Sequence, residues 1–147
     1  MLNLRDPRLH IAALEARLHL YQLPPDIVLP EELQLPRQKD AFYSITYTSN
    51  EISIITQTLA VSDSVKELQK QGTLKYEGPW SCLKINGPMD LTLTGVMAAM
   101  TTPLARGSIA VFAISTWNTD FILLHDVDRS RAIDALRATG WTVDDLG

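Results

Sequence analysis

The sequence predicts an α+β fold: a ferredoxin-like βαββαβ unit over residues 80–147, preceded by a partial, β-rich unit over residues 1–79 packed beside it. Three observations carry this. From Trp80 the chain reads strand, glycine turn, helix, strand, tight turn, strand, helix, short strand. Leu93, Val96, Met97, Met100 and Leu104 fall on one continuous helical face. Two apolar runs, 108–115 and 120–125, flank a tight turn at Trp117–Asn118 and read as a hairpin.

Residues 1–23 admit two patterns. Leu9, Ala12, Ala13 and Ala16 fit a helical face, while Leu18 and Leu20 alternate like a strand. A short helical lead-in followed by a strand over Ala16–Leu23 is expected, stopped by Pro24–Pro25. Four of the eight prolines lie in residues 24–40, a loop in which Glu31–Glu32 reads as solvated. Ala41–Thr48 and Glu51–Thr58 are rich in β-branched and aromatic residues and make a hairpin over Ser49–Asn50. Ser62–Gln71 reads as a short surface helix closed by Gly72, and Gly78–Pro79 punctuates the chain.

In the second half, Trp80–Ile85 is a strand and Asn86-Gly87-Pro88 a turn. Asp90 or Thr92 caps the next helix, which Pro103 kinks or ends near Thr102. Ser108–Ser115 is apolar on both faces and is expected to be buried on both. Asp126 or Asp128 caps a last helix with Ala132, Ile133 and Leu136 inward, and Trp141–Val143 forms a final edge strand.

Composition bounds the function. A net charge of −4 argues against a nucleic-acid surface, and the scattered Lys and Arg residues read as solvated faces. The longest apolar run, Ile109–Ile114, is far short of the ~20 residues of a membrane helix. The single cysteine, Cys82, permits no internal disulfide and suits a reducing compartment. With no secretory pattern at the start, a cytoplasmic location is expected. His10, His19 and His125 lack metal-ligand spacing, so no metal or cofactor is expected. Cys82 reads as a packed thiol, Ser115 has no recognisable base, and Asn86-Gly87-Pro88 lacks the spacing of a phosphate loop. No catalytic set emerges, and the protein is expected not to be an enzyme.

Residues 86–96 (Asn-Gly-Pro-Met-Asp-Leu-Thr-Leu-Thr-Gly-Val), 102–105 (Thr-Pro-Leu-Ala) and 108–123, with the hairpin Ser115-Thr116-Trp117-Asn118-Thr119-Asp120-Phe121-Ile122-Leu123, resemble the small ACT-domain proteins. Phe42–Ile45 and Glu51–Ile54 resemble a degenerate first ACT-like unit. The eukaryotic cytosolic arginine sensors are similar in carrying such units in tandem. The resemblance implies a βαββαβ regulatory module that holds an amino acid or related small carboxylate between ACT units. It points to Asp90, Leu93, Gly95, Val96 and Met97 on the helix side, and to Thr116, Trp117, Thr119 and Asp120 on the hairpin side. Leu93 stands where the arginine sensors place an acid, which favours a less basic ligand.

Residue chemistry supplies its own reading. Free N–H groups at the start of the helix, near Asp90–Leu93, suit a carboxylate. Gly87 removes a side chain that would block approach. Asp120 can pair with an ammonium or merely satisfy its own hairpin; Asp90 can cap the helix or contact an ammonium. Thr116 and Thr119 offer hydroxyls, and Trp117 a flat apolar wall.

Two functions follow. In one, the protein is a non-catalytic ligand-binding regulator, and a protein partner reads the arrangement that the ligand stabilises. In the other, it is an assembly module that pairs through its ACT fold with no ligand. Both imply a homodimer.

Overall fold

The computed structural model describes residues 2–34, 42–90 and 94–147. The chain forms two compact units, residues 18–79 and residues 1–17 together with 80–147. The first seventeen residues thus lie with the C-terminal half, where the sequence division had grouped them with the N-terminal half.

Strand β1 spans Ile11–Leu23 and passes from one unit into the other. The predicted helical lead-in is instead a 3-10 turn at Pro7–Leu9. Alanine-rich spacing misled here: Ile11 and Ala13 are buried in strand alternation, and alanine fits either period.

In the unit of residues 18–79, β1 contributes His19–Leu23, which pairs antiparallel with β3 (Ile52–Thr56). Strand β2 (Tyr43–Tyr47) pairs antiparallel with the other edge of β3. The intervening turn is held by the Thr48 hydroxyl, which accepts from the Asn50 and Glu51 amides at 3.1 Å each. Helix α1 (Asp63–Lys70) begins where the Ser62 hydroxyl accepts from the Val65 amide. It ends before Gly72, whose φ of +76° suits glycine. Strand β4 (Lys75–Ile85) begins in this unit and runs straight through Gly78–Pro79, which the sequence had marked as a break. The strand order is β2-β3-β1-β4, the ferredoxin-like order. Between β1 and β2 the described residues hold one helical turn, Glu31–Leu33. Leu33 is fully buried with Tyr21, Leu23, Ile52, Ile54 and Val65. Glu32 is not merely solvated: its carboxylate accepts from the Val61 and Ser62 amides at 3.2 and 3.0 Å.

In the other unit, β4 pairs antiparallel with β6 (Asp120–His125), and β6 with β5 (Val111–Ser115). The first residues of β1 lie on the other side of β4, and β7 (Val143–Asp145) pairs parallel with Ile11–Ala13. The final strand of the predicted βαββαβ unit is therefore displaced one place outward by β1. Helices α2 (Val96–Arg106) and α3 (Arg129–Ala138) cover one face. Beneath them lie Leu83, Ile85, Val96, Met100, Leu104, Ile122, Leu124, Ile133 and Leu136, all buried. Burying this many large apolar side chains, at roughly 1.5–3 kcal/mol each, is what holds the unit together.

Three expectations are corrected here. Strand β5 is not buried on both faces. It is a sheet edge, with Val111 37% and Phe112 38% exposed, whereas β6, equally apolar, is buried between β4 and β5. Neither Asp90 nor Asp128 caps a helix through its side chain. Gly95, at φ +83°, precedes α2, and Asp128 stands before α3 without a side-chain bond. Thr92 lies outside the described residues. Pro103 does not end α2, which runs on to Arg106. Proline leaves the carbonyl four residues back without its helical donor. That carbonyl, Ala99, instead accepts from the Trp141 indole at 3.3 Å.

Candidate functional site

The hairpin β5–β6 and the turn between β4 and α2 are locked together. The Met89 amide donates to the Asn118 carbonyl at 2.7 Å, and the buried Thr119 hydroxyl donates to the Ile85 carbonyl. Gly87 sits at the closest approach. A Cβ there would lie 2.9 Å from the Asn118 carbonyl oxygen and 3.2 Å from Thr119 Cβ, and its φ is +67°. Glycine is thus required by both space and conformation, to admit the hairpin rather than a ligand.

The hairpin turn is closed internally. The Thr116 amide donates to the Thr119 carbonyl at 2.9 Å, and the Thr116 hydroxyl donates to the same oxygen at 3.2 Å. The Ser115 hydroxyl donates to Asp120 Oδ1 at 2.7 Å. Of the two hydroxyls expected to face a ligand, that of Thr119 is therefore committed to β4 and that of Thr116 to the turn. Asp120 retains its second oxygen and is half-buried. Trp117 is 80% exposed at the tip.

Two cavities flank the β4–α2 turn. The first, about 220 Å³, is lined by Met89, Asp90 and Ser115–Asp120. It brings together five of the residues expected from sequence: Asp90, Thr116, Trp117, Thr119 and Asp120. Among the described residues its lining carries two carboxylates and no basic side chain, a composition suited to an ammonium. Gly95, Val96 and Met97 line neither cavity. Val96 is core, Met97 packs against that core, and Gly95 is the residue before α2. Leu93 lies outside the described residues.

The second cavity, about 340 Å³, is lined by Leu2, Asn3, Asp6, Arg8, Leu9, Pro88, Met89 and Asp90. Its N-terminal wall was not anticipated. That wall is tied to the turn by the backbone: the Asn86 amide donates to the His10 carbonyl at 2.9 Å and the Gly87 amide to the Arg8 carbonyl at 2.8 Å. Asp6 accepts from Arg8 Nη2 at 2.8 Å and from Nε at 3.2 Å. The Arg8 side-chain bond and the Arg8 amide hold the Asp6 carboxyl below the usual carboxylate range. A bidentate Asp-x-Arg pair two residues apart could have been noticed in the sequence. Nothing in the sequence placed it beside Asp90.

Elsewhere, burial pushes the Cys82 thiol up to about 12, the state of an inert packed cysteine. Among the described residues no three of His, Cys, Asp and Glu are grouped to hold a metal ion.

Residues 75–138 match the family model of the ACT domain. This segment is an ACT domain. ACT domains are regulatory modules. The domain takes in β4, α2, β5, β6 and α3, hence both sides of the hairpin cavity. Over 111 residues the chain is 29% identical to the cytosolic arginine sensor for mTORC1 subunit 1 of Bos taurus, covering 71% of this chain and 32% of that protein. The chain thus spans about a third of the length of that curated relative. Among solved structures, an Agrobacterium tumefaciens protein matches over 97% of this chain and 96% of its own, at 23% identity and a TM-score of 0.76. The aspartate kinase of Clostridium acetobutylicum, described as an allosteric enzyme, matches over 85% of this chain and 33% of its own, at 8% identity and a TM-score of 0.57. At these identities the likeness is one of fold. Among the described residues no helix is long and apolar enough to cross a membrane.

Proposed function

We propose that this protein is a non-catalytic regulator whose ACT domain binds an amino acid at the β4–α2 turn, with the ligand ammonium at Asp120 and Asp90. The observation that carries the reading is the hairpin cavity, where two carboxylates from separate elements line one recess with no basic side chain among the described residues. Coming from the ACT domain's first turn and its hairpin, they let one ligand tie two elements. Ligand binding then stabilises one arrangement of the protein, and a partner that prefers that arrangement responds, each biasing the other by the same free energy. The similarity to an arginine sensor supports an amino acid as the ligand class.

The test is thermal shift and calorimetry against a panel of the standard amino acids at millimolar concentration. A ligand at a hundred times its dissociation constant adds about 2.7 kcal/mol of stability, readily seen as a raised Tm. Asp120→Ala is expected to abolish that rise while leaving the unliganded Tm near wild type. No shift with any amino acid would refute the reading.

A second reading, an assembly module with no ligand, draws on the exposed apolar edge β5 and on the two threonine hydroxyls already used within the hairpin. It expects a dimer at micromolar concentration that is indifferent to amino acids and is broken by Phe112→Lys. Dimerisation that persists in Phe112→Lys would count against it.

A further inference from the structure

We propose that Met89 sets the size of the amino acid this domain accepts, as a partition between the hairpin recess and the N-terminal cavity. This rests on the amino-acid reading and adds to it a limit on the ligand side chain.

The two cavities share one wall. Among the described residues, Met89 and Asp90 are those that line both. The backbone of that wall is pinned from each side. The Met89 amide donates to the Asn118 carbonyl of the hairpin at 2.7 Å, and the Gly87 amide donates to the Arg8 carbonyl at 2.8 Å. What can change between the cavities is therefore side chain. Asp90 is exposed, whereas Met89 is half-buried and packs against the core of this unit. Met89 is thus the bulk of the partition.

The recess on the hairpin side is small and has little apolar surface. At about 220 Å³ it lies below the range of small-molecule sites, roughly 300–1,000 Å³. Met89 and Trp117 are the large apolar side chains of its described lining, and Trp117 stands 80% exposed. An amino acid whose ammonium sits at Asp120 has room there for a short side chain. A longer one turns towards solvent and gains nothing from burial. Beyond Met89 the conditions reverse. The N-terminal cavity, about 340 Å³, offers the apolar surfaces of Leu2, Leu9 and Pro88. Its charged pair is already matched, Asp6 holding Arg8 at 2.8 Å. Methionine, unbranched with three rotatable bonds, fills an irregular gap of this kind. Truncating it joins the two spaces into one that a long apolar side chain can enter. The ligand class is therefore an amino acid with a small side chain, and Met89 withholds from longer ones the surface they would need.

The test is calorimetric titration of wild type, Met89→Leu, Met89→Val, Met89→Ala and Asp120→Ala with the standard amino acids. The tightest ligand of wild type should be glycine, alanine or serine. The ratio of leucine to alanine affinity should rise at least about tenfold in Met89→Ala, the lower end of what one methylene is worth in an apolar pocket. It should rise less in Met89→Val and not in Met89→Leu, which conserves volume. Circular dichroism checks that each variant is folded, and Met89→Val, the smaller truncation, carries the test if Met89→Ala is not. The inference is overturned if a long side chain already binds wild type best, or if the ratio stays at its wild-type value in the folded truncations. In either case the amino-acid reading stands so long as Asp120→Ala weakens binding. If wild type binds none of the panel, the amino-acid reading fails and the inference falls with it.

Discussion

Gly87 is where the fold and the candidate site depend on one missing side chain, and Gly87→Ala tests both. Its φ of +67° lies in the left-handed region, which costs an L-residue about 1–2 kcal/mol. The new Cβ would also lie 2.9 Å from the Asn118 carbonyl oxygen. That oxygen is backbone and already accepts from the Met89 amide, so it cannot yield cheaply. Overpacking of this kind costs about 1–3 kcal/mol more. The expected total is about 2–5 kcal/mol, which at a urea slope near 2 kcal/mol/M lowers the midpoint by about 1–2.5 M. Gly95→Ala is the internal control. Its φ of +83° carries the same backbone cost, yet no atom lies within 4 Å of the added Cβ, so about 1–2 kcal/mol is expected. All three tryptophans (Trp80, Trp117, Trp141) belong to the unit of residues 1–17 and 80–147, so indole fluorescence follows the unit that carries both glycines. Equal losses for Gly87→Ala and Gly95→Ala would refute the close approach of hairpin and turn, and with it the geometry of both cavities.

Other consequences follow from single contacts. Trp141→Phe removes the donor to the Ala99 carbonyl and should cost about 1–3 kcal/mol in urea unfolding. In a Pro103→Ala background, where residue 103 regains an N–H for that carbonyl, the same change should cost about 1 kcal/mol less, a coupling that a double-mutant cycle reads directly. Cys82, fully buried with its thiol pushed up to about 12, should resist a disulfide reagent at pH 8 in the native protein and react promptly in denaturant. Burial holds His19 below its ordinary pKa, so the unfolded chain binds the proton more readily than the folded one. Its contribution is therefore complete above the unfolded value of about 6.5 and declines as pH falls from there towards the folded value. Urea midpoints followed by circular dichroism should drop between pH 7.5 and 5 and do so less in His19→Gln.

Where local signals agreed, the sequence was a good guide to the fold. Ser62 caps α1, the β2–β3 hairpin turns at Ser49–Asn50, and the face Val96–Met100–Leu104 is buried as its spacing demands. It misled where long-range placement decides. Ile11–Ala16 could join either period, and pairing with the other strands selects the extended form. Strand β5 has the composition of a central strand but ends the sheet, because edge position is a property of topology and leaves no mark on an apolar run. Pro103 would disrupt most helices. Here a tryptophan 38 positions further along the sequence supplies the missing donor.

The candidate site divides in the same way. Asp90, Thr116, Trp117, Thr119 and Asp120 are candidates the sequence offers from two short turns, and the fold gathers all five at one recess. Arg8 drew no attention in the sequence, because it stands about eighty residues from Asp90 and comes to line a cavity with it only through the pairing that draws residues 8–10 onto Asn86 and Gly87. That asymmetry bears on the ligand. Judged from the acidic recess alone, the site is one for a cation, and a simple amine would serve. The amino-acid reading requires the carboxylate to matter as well, so an amine without a carboxylate should bind more weakly than its parent amino acid. The comparison of leucine with leucinamide thus separates an amino-acid receptor from a general cation site.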